Sequence, residues 1–354
     1  MRTLLTVLAA LLVLTSTFGA GAVGGHAGVA AAQPACEFPV DVTDATGEEI
    51  TLEEEPERIV AMQPSDAQTL WEIGAREKVV GMPVSQYTEY LEGYDEPTDI
   101  TADDGVTVNT EEVIELDPDL ALASAVADEE QVEQLRDAGI TVYQVQDATS
   151  VDDVRGNVET YGQLTGECAG AAETIDWMDE ELGAIENAVE GEDRPTVLFA
   201  MGDGYTAGQG TFIEDVIETA GGENLASAAG IEFYGQISEE VVVSEDPDWI
   251  VYPDTFEEPP VSEQVIESTT AGQEDQIVQV DSDRMNQPGP QVVLAVQTLA
   301  ETFHPDVYAA QGDASGQEDG DGGASADGED QPGFGIVAAV AALVAAGFLF
   351  VRRR

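Results

Sequence analysis

Between Cys168 and Gly191 the apolar positions fall at Cys168, Ala171, Ile175, Met178, Leu182, Ile185 and Val189. Steps of three and four place all seven on one face of an α-helix. Gly191 offers a left-handed stop, and Pro195 follows a short polar gap. The helix so predicted has about 22 residues and a length of roughly 33 Å, more than an ordinary globular helix. A block with alternating strand and helix signals lies on each side of it. The long helix therefore reads as a spine joining two lobes; an ordinary core helix in one large domain is the alternative.

In the first block, FPVDVTDATGEEITL from Phe38 has a hairpin pattern, and Arg58–Met62 is a short apolar strand. Pro64 breaks that strand, and Ser65 or Asp66 is placed to cap the helix SDAQTLWEIGA. A strand at Lys78–Gly81 precedes the tyrosine-rich, aperiodic QYTEYLEGY. Asn109 caps TEEVIELD, Pro118 ends it, and strand Asp119–Ala123 follows. Helix Glu129–Ala138, strand Ile140–Val145 and helix Val151–Leu164 complete the block. After the spine come strand Pro195–Met201, the loop GDGYTAGQG and a helix opened by Thr211. Ser238 caps a helix stopped by Pro247, then DWIVY and Gln276–Val280 read as strands. A polar turn, DSDRMNQPGP, leads into helix Gln291–Phe303. Strand–helix alternation of this kind predicts the α/β class with mostly parallel sheets.

The two ends follow different rules. Residues 1–32 have a secretory pattern: Arg2, an apolar run from Leu4 to Leu14, and a small-residue site ending at Ala30-Ala31-Ala32. From Ala309 to Gln331 no apolar residue exceeds alanine in size, which predicts an acidic, disordered spacer. Pro332-Gly333-Phe334 then meets a mostly apolar run, Gly335–Val351, and Arg352–Arg354. That run is just long enough for a transmembrane helix with its arginines inside. The divisions expected are 1–32 signal peptide, 33–164 N-terminal lobe, 165–192 bridging helix, 193–308 C-terminal lobe, 309–331 linker and 332–354 sorting segment. The spacer, tripeptide, apolar run and arginines resemble the haloarchaeal PGF C-terminal sorting signal. That resemblance implies an archaeosortase-like processing enzyme that removes the tail, a lipid anchor in its place, and a secreted protein held at the outer face of the cytoplasmic membrane.

Charge narrows the class of partners. The chain has 72 acidic and 11 basic residues, a net charge of −61, and Lys78 is its only lysine. Such a field repels nucleic acid and anionic lipid headgroups. A compact state under that self-repulsion needs salt to screen it, so the composition fits molar salt and resembles that of haloarchaeal proteins. Cys36 and Cys168 suit an extracellular disulfide, with two unpaired thiols as the alternative.

An internal repeat links the lobes. NTEEVIELDPDLALA from Asn109 and SEEVVVSEDPDWIVY from Ser238 share a cap, a glutamate two positions on, a short apolar helix, Pro-Asp and a strand. Glu111 and Glu240 thus hold equivalent positions, one per lobe. Matched acidic points at two ends of a bilobed body suit docking on a symmetric partner. The alternative is that early-turn glutamates only complement the helix dipole.

These stretches together resemble the periplasmic-type binding proteins of ABC importers for cobalamin and ferric siderophores. The matching pieces run from RIVAMQPSDAQTLWEIGA to PGPQVVLAVQTLAETFHPD, about residues 57–307. The resemblance implies two α/β lobes bridged by a single long backbone helix, with the ligand cleft between the lobes and little hinge motion. It also implies an ABC permease dimer with cytoplasmic ATPase subunits as partner, docked through Glu111 and Glu240. Cleft residues carried over from the family's loops are Gln63, Pro64, Ser65, Tyr87, Tyr90, Gly204, Tyr205, Phe233, Tyr234, Arg284 and Met285. Aromatic faces with few polar groups suit a large, flat, nearly neutral small molecule. With Arg284 as the one arginine in the set, a corrinoid such as cobalamin is favoured over a ferric siderophore or haem.

Other classes fit less well. No G-x-S-x-G elbow is present and His304 has no evident nucleophile beside it, so no catalytic residue and no resident cofactor are expected. Relatives that bind bare zinc or manganese use several histidines, and His26 and His304 are the only two here, so no metal site is expected. A surface structural protein is the remote alternative.

Overall fold

The computed structural model describes residues 36–105, 107–123 and 127–315. The chain opens with an antiparallel hairpin, β1 (Val40–Thr43) and β2 (Glu49–Leu52). Then come β3 (Ile59–Ala61), α1 (Pro64–Glu72), β4 (Val79–Met82), β5 (Thr98–Asp99) and α2 (Thr110–Glu115). The lobe closes with β6 (Leu120–Ala123), α3 (Glu129–Asp137), β7 (Thr141–Gln144) and α4 (Val151–Thr165). β3 to β7 form one parallel sheet in the order β5-β4-β3-β6-β7. Its central strands, Ile-Val-Ala and Leu-Ala-Leu-Ala, are buried at every position, as a sheet covered on both faces requires.

The spine is α5 (Cys168–Val189), 22 residues long, with Gly191 at φ +83 just past its end. A left-handed glycine there ends the helix without a Cβ clash. The apolar face is wider than one stripe: Ala171, Thr174, Met178, Ile185 and Ala188 are buried, while Ile175, Leu182 and Val189 are half-buried. The reason is that the spine packs against α4 on one side and the last long helix of the chain on the other. Its first turn lies so close to the end of α1 that a side chain at Gly170 would meet the Ile73 carbonyl.

Two ties hold the joint between α4 and α5. Cys36 is disulfide-bonded to Cys168, with Cα atoms 5.5 Å apart. Lys78 Nζ donates to the Thr165 carbonyl at 2.6 Å and pairs with Glu55 at 2.7 Å and Glu167 at 2.8 Å.

After the spine come β8 (Thr196–Phe199), β9 (Tyr205–Ala207), α6 (Phe212–Thr219), β10 (Glu223–Asn224) and α7 (Leu225–Ala228). β11 (Tyr234–Gln236), α8 (Glu239–Glu245), β12 (Trp249–Pro253), α9 (Glu263–Ser268) and α10 (Thr270–Gln273) follow. β13 (Ile277–Val280), α11 (Ser282–Asn286), α12 (Val292–Phe303) and α13 (Pro305–Ser315) complete the described chain. The second sheet is parallel, in the order β10-β8-β12-β13, and β9 and β11 form a separate antiparallel ribbon. One apolar core runs through both lobes, from Leu70 and Leu122 past Met178 and Ile185 to Val251 and Leu299. Smaller clusters around Val113 and Val142, and around Val242 and Ile250, lie apart from it in the two lobes.

Several expectations change. Gln63, not Ser65 or Asp66, is the N-cap of α1: Pro64 occupies the first turn, where its missing N–H is not needed, and the Asp66 carboxylate bonds back to the Gln63 N–H at 3.1 Å. The loop after β8 contains β9, which pairs with β11, and the polar turn before α12 contains α11. Helical backbone in α13 extends to Ser315, into the stretch expected to be a spacer from 309 onward. The signal segment, the remaining spacer and the sorting segment lie outside the described residues. Among the described residues no helix is long and apolar enough to cross a membrane.

Candidate functional site

The two parallel sheets point the loops after their strands toward a shared cleft. On the N-terminal side the chain leaves β3 through Gln63, Pro64 and Ser65 and enters α1. Directly beneath, Asp66 is buried and accepts hydrogen bonds from the Tyr161 hydroxyl at 2.6 Å and the Gln63 N–H. Burial pushes the Asp66 carboxyl up to about 7, against those two hydrogen bonds.

A polar network ties the lobes together beside this turn. Gln68 Nε2 donates to the Tyr90 hydroxyl at 2.6 Å, and that hydroxyl donates to Gln287 Oε1 at 3.1 Å. Gln287 Nε2 in turn donates to the Tyr87 carbonyl at 2.9 Å and to Asp283 Oδ1 at 3.1 Å. The Gln291 N–H bonds Gln68 Oε1 at 3.0 Å, and its side-chain amide bonds Glu72 at 2.8 Å. Tyr90 is pushed up to about 12, chiefly by burial, so it stays a neutral hydroxyl.

The open part of the cleft is a cavity of about 360 Å³ between Gln63, Pro64, Ser65 and Tyr87 on one lobe and Thr255, Ser282, Asp283, Asn286, Gln287 and Pro288 on the other. A second cavity of about 340 Å³ adjoins it, sharing Thr255 and Asn286, and is walled by Phe199, Met201, Tyr234 and Phe256. The surface thus combines aromatic faces with amide and hydroxyl groups. Asp283 is pushed up to about 6 by burial and by the neighbouring charge of Asp281, against the bond from Gln287. No lysine or arginine lines either cavity. Arg284, on α11 beside Asp283, pairs with Asp281, and the other described cations are engaged elsewhere: Arg58 on backbone carbonyls, Arg76 on Glu96, Lys78 on Glu55 and Glu167, Arg136 on Asp44 and Glu48, Arg155 on Asp152 and Asp179, and Arg194 on backbone carbonyls.

The residues expected in the cleft separate into groups. Gln63, Pro64, Ser65 and Tyr87 line its first cavity, Tyr234 lines the second, and Tyr90 belongs to the network between the lobes. Gly204 and Tyr205 do not join them: they line a different cavity, inside the C-terminal lobe. Phe233 is 66% exposed at φ +53 and lines none of these cavities. Arg284 is half-buried and lies 3.5 Å from Asp281. Met285 is a correction: it is fully buried in the apolar core, because α11 turns that position inward and presents Asn286 and Asp283 to the cleft instead. Asp283, Asn286, Gln287 and Thr255 were missed by sequence reasoning. A short helix recognised in DSDRMNQPGP would have revealed the first three, since only one face of it can be apolar. Glu111 and Glu240 stand exposed in the first turns of α2 and α8. Among the described residues no group of three His, Cys, Asp or Glu side chains is placed to hold a metal ion.

Two α/β lobes on one helical spine, with an aromatic and amide-lined cleft between them, define a solute-binding protein. Residues 59–284 match the family described as periplasmic binding protein, and the chain belongs to it. Residues 331–353 match the PGF-CTERM motif. The chain is 40% identical to the cobalamin-binding protein of Halobacterium salinarum, over 99% of its own length and 98% of that relative's. It is 24% identical to the vitamin B12-binding protein of Salmonella typhimurium, over 68% of this chain and 88% of that one. Among solved structures, the periplasmic vitamin B12 binding protein of Vibrio cholerae superposes with a TM-score of 0.61 at 21% identity, covering 72% of this chain and 98% of that one. The periplasmic heme-binding protein of Roseiflexus sp. RS-1 superposes with a TM-score of 0.63 at 25% identity, covering 71% and 99%. The family is one of binding proteins that serve ABC importers, not of enzymes.

Proposed function

We propose that this protein captures a corrinoid outside the cell and delivers it to an ABC permease. The observation that carries the choice of ligand is the cleft's chemistry: aromatic faces, amides and hydroxyls, a carboxylate, and no lysine or arginine. A corrinoid offers a broad apolar ring edge and many amide groups, which aromatic rings and amide or hydroxyl partners match. An anionic ferric catecholate or a haem with two carboxylates would face Asp283 with no lysine or arginine in the lining, and the neighbouring Arg284 is already paired with Asp281. The full-length similarity to a relative named as a cobalamin-binding protein supports the same reading.

Docking is through Glu111 and Glu240, exposed at matched positions of the two lobes, onto the two halves of a permease dimer that carries cytoplasmic ATPase subunits. The PGF-CTERM match supports surface anchoring after an archaeosortase-like enzyme acts, with a lipid anchor taking over from the apolar tail. The acidic, lysine-poor composition supports work in molar salt.

The test is a calorimetric titration of the purified chain in molar potassium chloride with cyanocobalamin, ferric hydroxamates, ferric catecholates and haem. Saturable binding of the corrinoid in preference to the others is expected. Binding of a ferric chelate or haem in its place would overturn the ligand while leaving the importer assignment standing.

A further inference from the structure

Asp283 stands half-buried on α11 and faces the cleft cavity of about 360 Å³. Its Oδ1 accepts from Gln287 Nε2 at 3.1 Å. The charged groups set against it are of its own sign. Asp281 caps α11 two residues back, and Asp254, in the turn after β12, accepts from the Ser282 N–H at 3.1 Å. Glu89 adds its charge from the N-terminal lobe. Arg284 is turned to Asp281, and Tyr90, on the far side of Gln287, is a neutral hydroxyl.

The opposite face of α11 carries Met285 into the core, against α6 and α12. The carboxylates of those two helices have partners of their own. Glu214 accepts from the Gly210 N–H, Asp215 from the Val151 N–H and Glu301 from the Gln297 amide, while Glu218 lies in the field of Arg194. Asp283 is thus a carboxylate in the wall of the cleft with one amide bond and no cation.

In the open cleft, water on the cavity side and screening by salt let Asp283 carry its charge beside three like neighbours. Burial and Asp281 already push it up to about 6. A ligand that fills the cavity expels that water and those ions. A neutral corrinoid brings no charge in exchange, so the repulsion from Asp281, Asp254 and Glu89 acts through a lower dielectric. A protonated carboxyl escapes that repulsion. Its O–H becomes a donor for an amide carbonyl of the ligand, while the other oxygen still accepts from Gln287.

We propose that capture is proton-coupled: a neutral corrinoid seated in the cleft brings a proton from solution onto Asp283. The inference rests on the corrinoid reading and goes beyond it, from the ligand held to the charge state that holds it. The bound state keeps this proton more tightly than the free state. Affinity is therefore full below about pH 6 and falls as pH rises through that value.

The test is calorimetric titration of the purified chain with cyanocobalamin in molar potassium chloride, at a series of pH values and in two buffers of different ionisation enthalpy. The parent is expected to bind about tenfold or more weakly at pH 8 than at pH 5, with a heat at about pH 7 that depends on the buffer. Asp283→Asn keeps an acceptor for Gln287 and has no charge. Its affinity should stay within about twofold over the whole range, with no buffer dependence. Asp281→Asn keeps the helix cap and removes the neighbouring charge that raises Asp283 most, so it should move the transition to lower pH. A parent that binds equally at all pH values, or more tightly at high pH, would overturn the proposal. So would an Asp283→Asn variant with the parent's profile, or an Asp281→Asn variant with an unmoved transition. Absence of cyanocobalamin binding at every pH, in a parent that stays folded by circular dichroism, would overturn the corrinoid reading and this inference with it.

Discussion

The two lobes share a plan and are held together differently. The N-terminal lobe is cross-linked: Cys36–Cys168 ties its first residues to the spine, Lys78 bridges Glu55, Glu167 and Thr165, and Arg136 ties the hairpin to α3 through Asp44 and Glu48. In the C-terminal lobe the ion pair among the described residues is Arg284–Asp281, between neighbours in one helical turn, and Arg194 serves backbone carbonyls. That lobe closes by burial, around Ile250, Val242 and Leu225. A chain with so few cations places them where sequence-distant pieces meet, and lets apolar packing do the rest. The difference predicts that the two lobes should fail under different insults.

The largest effect should come from removing the disulfide. It closes a separation of 132 residues, and Cys36→Ser with Cys168→Ala should destabilise the protein by about 4–5 kcal/mol in the chain-entropy model. Denaturant unfolding measures the loss, and amide exchange should show the hairpin freed first while β12 stays protected. A loss below about 1 kcal/mol would mean the lobe is not held in this way.

Next in size is Ile250→Ala, which empties a fully buried site in β12. Loss of about 2–4 kcal/mol is expected, with exchange accelerated in β12 and β13 and unaltered in the hairpin. Equal acceleration in both lobes would erase the distinction.

The smallest effect concerns Asp66, which the sequence places in a first turn and the structure buries. Its folded value of about 7 lies above an ordinary carboxyl, so the folded state holds the proton more tightly than the unfolded state. Stability from this group is full below about pH 4 and is lost as pH rises toward 7. The N-terminus of α1 favours the charged form and offsets part of this. The Tm of Asp66→Asn relative to the parent should therefore climb between pH 4 and pH 7. A flat difference across that window would show that Asp66 is charged throughout.

Legibility in the sequence followed the physics of each element. The spine and the caps Asn109, Thr211 and Ser238 were readable because they depend on local spacing and local hydrogen bonds. The start of α1 was misread because proline at N1 and a capping box move the cap two or three residues back. β9 and β11 were invisible, since each is a three-residue strand defined by a partner far along the chain. Within the site, the turn at Gln63–Ser65 was legible from the strand–proline–helix junction. Met285 was not: which face of a five-residue helix meets the core is decided by α12 and α6 packed against it, and nothing local records that.

The chain of amides through Gln68, Tyr90, Gln287 and Gln291 has a kinetic consequence. Lobes latched to each other before any ligand arrives have no large closing motion to perform. Association is then an encounter with a standing surface, and its rate is set by diffusion and orientation rather than by a gate. Differences in affinity among related ligands should therefore reside in how long each one stays. Solution scattering profiles with and without cargo should be nearly superimposable, and the permease must recognise the loaded form by something other than a change of shape.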